Sequence, residues 1–316
     1  MAFQARPIAF KPKYLDGLSA RLLSSHYENN YGGAVRRLNT IKGELARLDP
    51  ATAPGFVLNG LKREELIATN SMLLHELYFD GLGGSGGAPD GALGDAIAGD
   101  FGSFERWCVE FMAMGRALGG GSGWVVLTRS PRDGVLSNVW AADHTHTLAG
   151  GLPVLALDMY EHAYHLDFGA NAAAYVDAFM ANLHWPRLAE RFAERFAGAN
   201  LQPPSHLIDP LTARQRLDSE SDLLVIDARL ADDVAAVPMG LRGARRAPPD
   251  KVDALARSLP GGAKALVYCA WGFEIGGDCA ARLRERGIDA VAIAGGLGAW
   301  RADGLPTEPL SEGEHA

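Results

Sequence analysis

The chain has 316 residues, 47% of them hydrophobic and 22% charged, with a formal net charge of −8 at pH 7. That length exceeds the ~100–150 residues common for one domain, so two domains are expected. The acidic balance excludes a generic nucleic-acid binder, which needs basic surplus to neutralise phosphates. No apolar run approaches the ~18 residues of a membrane span, and the N-terminal stretch lacks a signal-peptide core. Three cysteines (Cys108, Cys269 and Cys279) are too few for a disulfide framework, which points to reduced thiols and a cytoplasmic location.

Helical spacing with few breakers runs over residues 14–49 and 61–80, and "ERWCVEFMAMGRAL" (105–118) reads as another amphipathic helix. "GGGSGW" then punctuates the chain, and "VVLTRS", "VLSNVW" and "LPVLALD" predict short antiparallel strands bounded by turns. Helix returns over residues 172–197. Residues 1–197 therefore predict an α+β domain, a helical N-terminal part followed by a mixed part. Residues 198–205 are read as a linker, in a Pro-containing stretch that extends to about 210. Beyond it the grammar changes. "LLVID", "ALVYCA" and "AVAIAG" are strands alternating with "DKVDALARSLP", "GGDCAARLRERG" and "LGAWRADG" as helices. That alternation predicts an α/β domain with a parallel sheet over residues 206–312, ahead of an acidic, disordered tail at 313–316.

Chemistry concentrates in "VLALDMYEHAYHL" (154–166), where an apolar strand ends on Asp158 and His162 follows four residues later. A carboxylate at the end of a buried strand needs a positive partner, and a metal is one of several candidates. His26 and His75 each lie in a helical stretch; imidazoles suit iron, manganese, zinc or copper, and a carboxylate favours harder ions. Any one of these histidines also has the plainer reading of a packing or surface residue.

"LALDMYEHAYHLDF" closely resembles the D-x-W-E-H-A-Y signature of the iron/manganese superoxide dismutases. "SSHYENNYGGAVRRLN", "LLHELYFDGL", "FGSFERW", "GGGSGWVVL" and "ANLHW" follow the family's order over about residues 10–197. The resemblance implies that one iron or manganese ion per subunit is held by His26, His75, Asp158 and His162 with a solvent molecule, and dismutates superoxide. It implies a catalytic second-sphere role for His144, with His146 as the fallback because the match needs a short gap. Glu161 matches the acid that crosses a homodimer interface, and Tyr164 the interface tyrosine. Trp124 and Trp185 match aromatics that wall the site, with plain core packing as the other reading; Tyr160 and Tyr78 fall where the family often has tryptophan or another aromatic.

The ungapped register from His26 to Leu38-Asn39 places Asn30 where the family has a histidine and Ala34 where it has the gateway tyrosine. Tyr31, three residues earlier on nearly the same helical face, is the candidate replacement. These departures motivate an alternative: a metal- or redox-sensing or binding scaffold with low dismutase activity.

In the second half, "LLVIDAR", "GLRGARRAP" and "GGLGAWRADGLP" resemble the landmarks of the rhodanese family over about residues 206–308. That resemblance implies that Cys269, after an apolar strand, carries a persulfide, with Asp227 and Arg229 supporting fold and entrance. A turn of backbone N–H groups at a helix start favours an anionic sulfur. The loop Cys269-Ala-Trp-Gly-Phe-Glu274 has no cation, and Glu274 would repel a sulfite-like anion. Trp271 favours an apolar persulfide donor or a protein partner, and Cys279 reads as structural. A sulfurtransferase acting mainly through Cys269 is the third functional reading.

Overall fold

In a computed structural model, residues 2–193, 206–272 and 274–310 are described. The expected linker, the tail and Phe273 lie outside the described residues. The chain divides into two compact units, Met1–Phe3 with Ala9–Ala199 and Gln4–Ile8 with Asn200–Ala316.

The first unit begins with a short 3-10 turn, Pro12–Tyr14, and α1 (Ala20–Ser25). Ser19 caps α1: its hydroxyl oxygen accepts from Leu22 N at 3.1 Å, offsetting one orphan N–H of the first turn. A π-helical turn over His26–Tyr31 follows, then α2 (Gly32–Arg47) and α3 (Gly55–Gly81). The predicted helix over 14–49 is thus shorter at its start and widened in its middle. Next come α4 (Gly91–Phe101) and α5 (Phe104–Ala117), the latter capped by Ser103. Sequence patterning missed α4 because its glycine-rich stretch buries only Leu93 and Ile97.

Strands β1 (Trp124–Arg129), β2 (Leu136–Ala141) and β3 (Leu152–Asp158) form an antiparallel sheet with β1 in the centre. The register pairs Trp124 with Asp158, which sets both residues at one end of the sheet. A 3-10 turn (Glu161–Ala163), α6 (His165–Phe168), α7 (Ala172–Ala181) and α8 (Trp185–Ala193) complete the unit. The predicted 172–197 helix is therefore broken. The Leu183 carbonyl accepts from Gly86 N, and His184 N donates to Gly81 O, so these groups bond outside a helix.

The second unit contains β4 (Leu207–Ile208), α9 (Pro210–Ser219), β5 (Leu224–Asp227), α10 (Ala231–Ala236), β6 (Met239–Gly240) and β7 (Arg245–Arg246). It continues with α11 (Val252–Ser258), β8 (Lys264–Tyr268), α12 (Glu274–Glu285), β9 (Asp289–Ile293), α13 (Gly296–Ala302) and β10 (Glu308–Pro309). Five strands form a parallel sheet in the order β4-β9-β8-β5-β7, with β8 in the middle. Alternate strand residues face opposite sides. Ile226 and Val267 pack with Val252, Leu255 and Leu283 on one face, and Val225 and Leu266 with Ala213, Leu297 and Trp300 on the other. The sheet is thus covered on both faces, as near-continuous apolar strands require. No helix among the described residues is long and apolar enough to cross a membrane.

Candidate metal centre

Four separate elements deliver four side chains to one point in the first unit. The π turn carries His26 into the core, α3 carries His75, β3 ends on Asp158, and the following 3-10 turn presents His162. His26 and Asp158 are fully buried, His75 is buried, and the ring of His162 is partly exposed. Asp158 Oδ2 lies 3.0 Å from His26 Nε2, 3.1 Å from His162 Nε2 and 3.5 Å from His75 Nε2. One ligand atom from each residue fits within a 4.8 Å span. Two donors each ~2.1 Å from a common ion at 90–120° are themselves about 3.0–3.6 Å apart, the spacing found around Oδ2.

Tautomers test the fit. His75 Nδ1 donates to the Ser71 carbonyl at 2.6 Å, so its Nε2 carries a lone pair. That nitrogen is buried with no hydrogen-bond partner among the described residues, an expensive arrangement unless a cation meets it. Burial, reinforced by the neighbouring His26, pushes His75 down to about 3, which keeps it neutral and a competent ligand. His26 is likewise lowered, chiefly by burial. Burial alone would raise the Asp158 carboxyl; the charge and hydrogen bonds of His162 and His26 outweigh it and hold the group far below the carboxylate range. Tyr160 N donates to Asp158 Oδ1 at 2.9 Å, and the Tyr175 hydroxyl to the Asp158 carbonyl at 2.7 Å, locking the acid in place. Three imidazoles and one carboxylate suit a single iron or manganese ion.

Residues 89–191 match the family model of iron/manganese superoxide dismutases, C-terminal domain. A superoxide dismutase [Fe] of Cupriavidus metallidurans is 70% identical over 193 residues, 61% of this chain and 98% of that protein. The chain belongs to the iron/manganese superoxide dismutase family. A superoxide dismutase [Mn] 1 of Halobacterium salinarum is 35% identical, covering 57% of this chain and 90% of that protein. A superoxide dismutase [Fe] of Aquifex aeolicus is 33% identical, covering 58% and 87% respectively.

Around the four-residue group, aromatic rings form a second layer. Trp124 meets His75 edge-on at 5.3 Å and donates its indole N–H to His144 Nδ1 at 3.0 Å. Because Nδ1 accepts, the neutral His144 ring carries its proton on Nε2. Asn70 Nδ2 donates to the His144 carbonyl at 2.6 Å and fixes its loop. Tyr160 stacks on His144 at 4.9 Å and on His162 at 5.4 Å. His146 lies elsewhere: half-exposed, it contacts Asp143 and Trp140. The structure therefore brings His144, not His146, beside the four residues. Tyr78 packs on His26 at 4.8 Å, and Tyr31 lies 6.3 Å from His75.

Two further aromatic side chains pack in the core, which for Trp185 is one of its two expected readings. Trp185 stacks on Phe104 and Trp107 and donates to the Gly87 carbonyl, so its recorded partners are core residues, not the histidines. Tyr164 is buried in the protomer, stacked on Tyr175, its hydroxyl accepting from Gly120 N. Glu161 is exposed. Ser71, Tyr175 and Glu76 were not legible as site residues, although Glu76 stands out as an acid inside the apolar run "LLHELYF".

In the second unit, Cys269 follows β8, the middle strand, at the carboxyl end of the sheet where open α/β folds bind ligands. Its sulfur is buried and accepts from Gly272 N at 3.2 Å. Gly272 has φ +65, and a Cβ there would run into the backbone nitrogen of Gly295. Leu297 N donates to the Cys269 carbonyl and Gly298 N to the Ala270 carbonyl, which clamps the loop. Asp227 and Arg229 form a buried bidentate pair, and the Arg229 guanidinium also donates to the Val237 carbonyl. Arg229 is 1% exposed, so it supports the fold and does not line an entrance. Cys279 sits in the core, its thiol pushed up to about 12 by burial.

Proposed function

We propose that His26, His75, Asp158 and His162 hold one iron or manganese ion and that the first unit dismutates superoxide to oxygen and hydrogen peroxide there. The observation that carries this reading is the convergence of three imidazole nitrogens on one buried carboxylate oxygen, at 3.0, 3.1 and 3.5 Å. When bound, the ion supplies an electron acceptor for one superoxide and an electron donor for the next. The protein residues do the rest. Imidazoles bind a metal in their neutral form, so Asp158 would be the one anionic ligand of the four and the ion would not be ringed by acids. His144, its Nδ1 occupied by Trp124, keeps a proton on Nε2 for the two that peroxide requires. Tyr160, between the His144 and His162 rings, holds both planes parallel. Tyr31, its ring 6.3 Å from that of His75, is the candidate replacement for a gateway phenol, because Ala34 offers no hydroxyl.

The exposure of Glu161 is consistent with two copies pairing through the 3-10 turn, and three free cysteines suit a cytoplasmic location. Loading the metal-free chain separately with iron and with manganese, then measuring content and superoxide consumption, tests the reading. One equivalent bound with high turnover for at least one metal is expected. Full occupancy without turnover would favour the sensing or binding scaffold that Ala34 and Asn30 motivate.

For the second unit the reading is a rhodanese-like domain that carries a persulfide on Cys269, supported by the doubly wound sheet and the thiol at the end of its middle strand. The loop lacks cations, so an apolar or protein persulfide donor fits better than thiosulfate. Mass spectrometry after incubation with a persulfide donor should add one sulfur to the wild type and none to Cys269→Ser.

A further inference from the structure

We propose that Glu76 is a positioning residue that orients the Tyr31 phenol at the metal centre; the inference rests on reading the four-residue group as the dismutase site. Three observations carry it. The backbone between His26 and Tyr31 is π-helical. At 3.6 residues per turn, residues five apart point about 140° apart around a helix. The wider i→i+5 turn sets them roughly one above the other, so Tyr31 is delivered to the same side as His26. Single π turns of this kind recur at functional sites.

The second observation is where Tyr31 ends up. It is 1% exposed, packed at 5.4 Å against Tyr27 and at 6.1 Å against Phe79, with its ring 6.3 Å from that of His75. The third is its hydrogen bond. The Tyr31 hydroxyl donates to Glu76 Oε1 at 3.0 Å, and Glu76 directly follows His75 in α3. Glu76 is half-buried in a helix segment whose neighbours Leu74, His75, Leu77 and Tyr78 are buried. A carboxyl oxygen accepting at this distance fixes the direction of the phenol O–H.

The consequence concerns direction. A phenol has one proton, and here Glu76 takes it. While the bond stands, the Tyr31 proton is directed at Glu76 and is not offered to an anion entering the site. Glu76 thereby tunes anion binding through Tyr31 without touching the anion itself.

A double-mutant cycle tests this with azide as the anion probe. Wild type, Tyr31→Phe, Glu76→Leu and the double variant are loaded with iron, metal content is measured, and azide affinity is read from the absorption change. Glu76→Leu should tighten azide about fivefold or more with Tyr31 present, because the released phenol proton becomes available. The change should fall to about twofold or less in the Tyr31→Phe background, where only the lost charge remains. An equal change in both backgrounds would mean a plain charge effect and would overturn the proposal. Urea unfolding of the same four proteins without metal, repeated with the isosteric Glu76→Gln, gives a reading independent of the ion. Coupling of about tenfold in the unfolding constant for Glu76→Leu, largely restored by Glu76→Gln, supports the pair; no coupling overturns it. A wild type that retains no metal overturns the dismutase reading instead, while the unfolding cycle still decides the pair.

Discussion

His75→Ala and Asp158→Ala attack the same four-residue group from two sides. The first removes a buried lone pair; the second leaves three imidazole nitrogens without the oxygen they share. Both should lose nearly all metal after dialysis, measured by elemental analysis; full occupancy in either would sink the assignment of these ligands. His144→Phe is gentler, because it keeps the aromatic stack on Tyr160 while removing the proton carrier and the acceptor of the Trp124 indole N–H. Metal content should persist while turnover falls roughly 10–100-fold, the range for lost outer-sphere partners, as assayed by superoxide consumption. Cysteines offer a contrast that pH controls. Burial raises the Cys279 thiol to about 12, so its reactive thiolate is scarce below that pH and grows only as pH rises toward it. At pH 8 about one part in ten thousand is thiolate, and alkylation followed by peptide mapping should leave Cys279 unmodified in the folded chain.

At the scale of elements, strand ends matter more than strand middles. β3 can end on an acid because the turn that follows returns the Tyr160 N–H and the His162 imidazole to its carboxylate, and the π turn adds His26; β5 ends on Asp227 for a different reason, the guanidinium of Arg229. Arg229→Ala takes the bidentate partner from a fully buried carboxylate and leaves it Arg246 at 3.5 Å, which should cost up to about 3–5 kcal/mol. Hydrogen exchange should show the loss in β5 and β8 while metal content is unchanged. Helix packing supplies a second test. A Cβ at Gly115 of α5 would sit 2.7 Å from a Leu157 methyl and 3.2 Å from Val176. Gly115→Ala therefore crowds the core beneath Asp158 and should destabilise the first unit by about 1–3 kcal/mol in urea unfolding, despite the better helix propensity of alanine.

For the whole molecule, the metal belongs to the first unit and stabilises only the state that binds it. Free ion at 100 times its dissociation constant contributes about 2.7 kcal/mol, so stripping the metal should lower one calorimetric transition and leave the other in place. A single transition that moves as a unit would show that the two halves unfold cooperatively.

Much of this was legible from residue order. Asp158 and His162 stand four apart at the end of an apolar strand, and the alternating strands and helices after residue 206 announce a parallel sheet, because both signals are local. Other features depend on distance or on the backbone. The choice of His144 over His146 turns on the Trp124 indole across the sheet. The break between α7 and α8 comes from hydrogen bonds made with Gly81 and Gly86, about a hundred residues upstream. Tyr164 and Trp185 looked like site or interface aromatics but were claimed by the core, where large rings bury most area. The sequence by itself determined which residues have the chemistry for a redox metal. Only the tertiary structure decided that His26 and His75 meet Asp158 at one oxygen, and that a π turn brings Tyr31 to Glu76. Periodicity encodes which side a residue faces along its own element, whereas convergence of four elements on one point is set by how those elements pack.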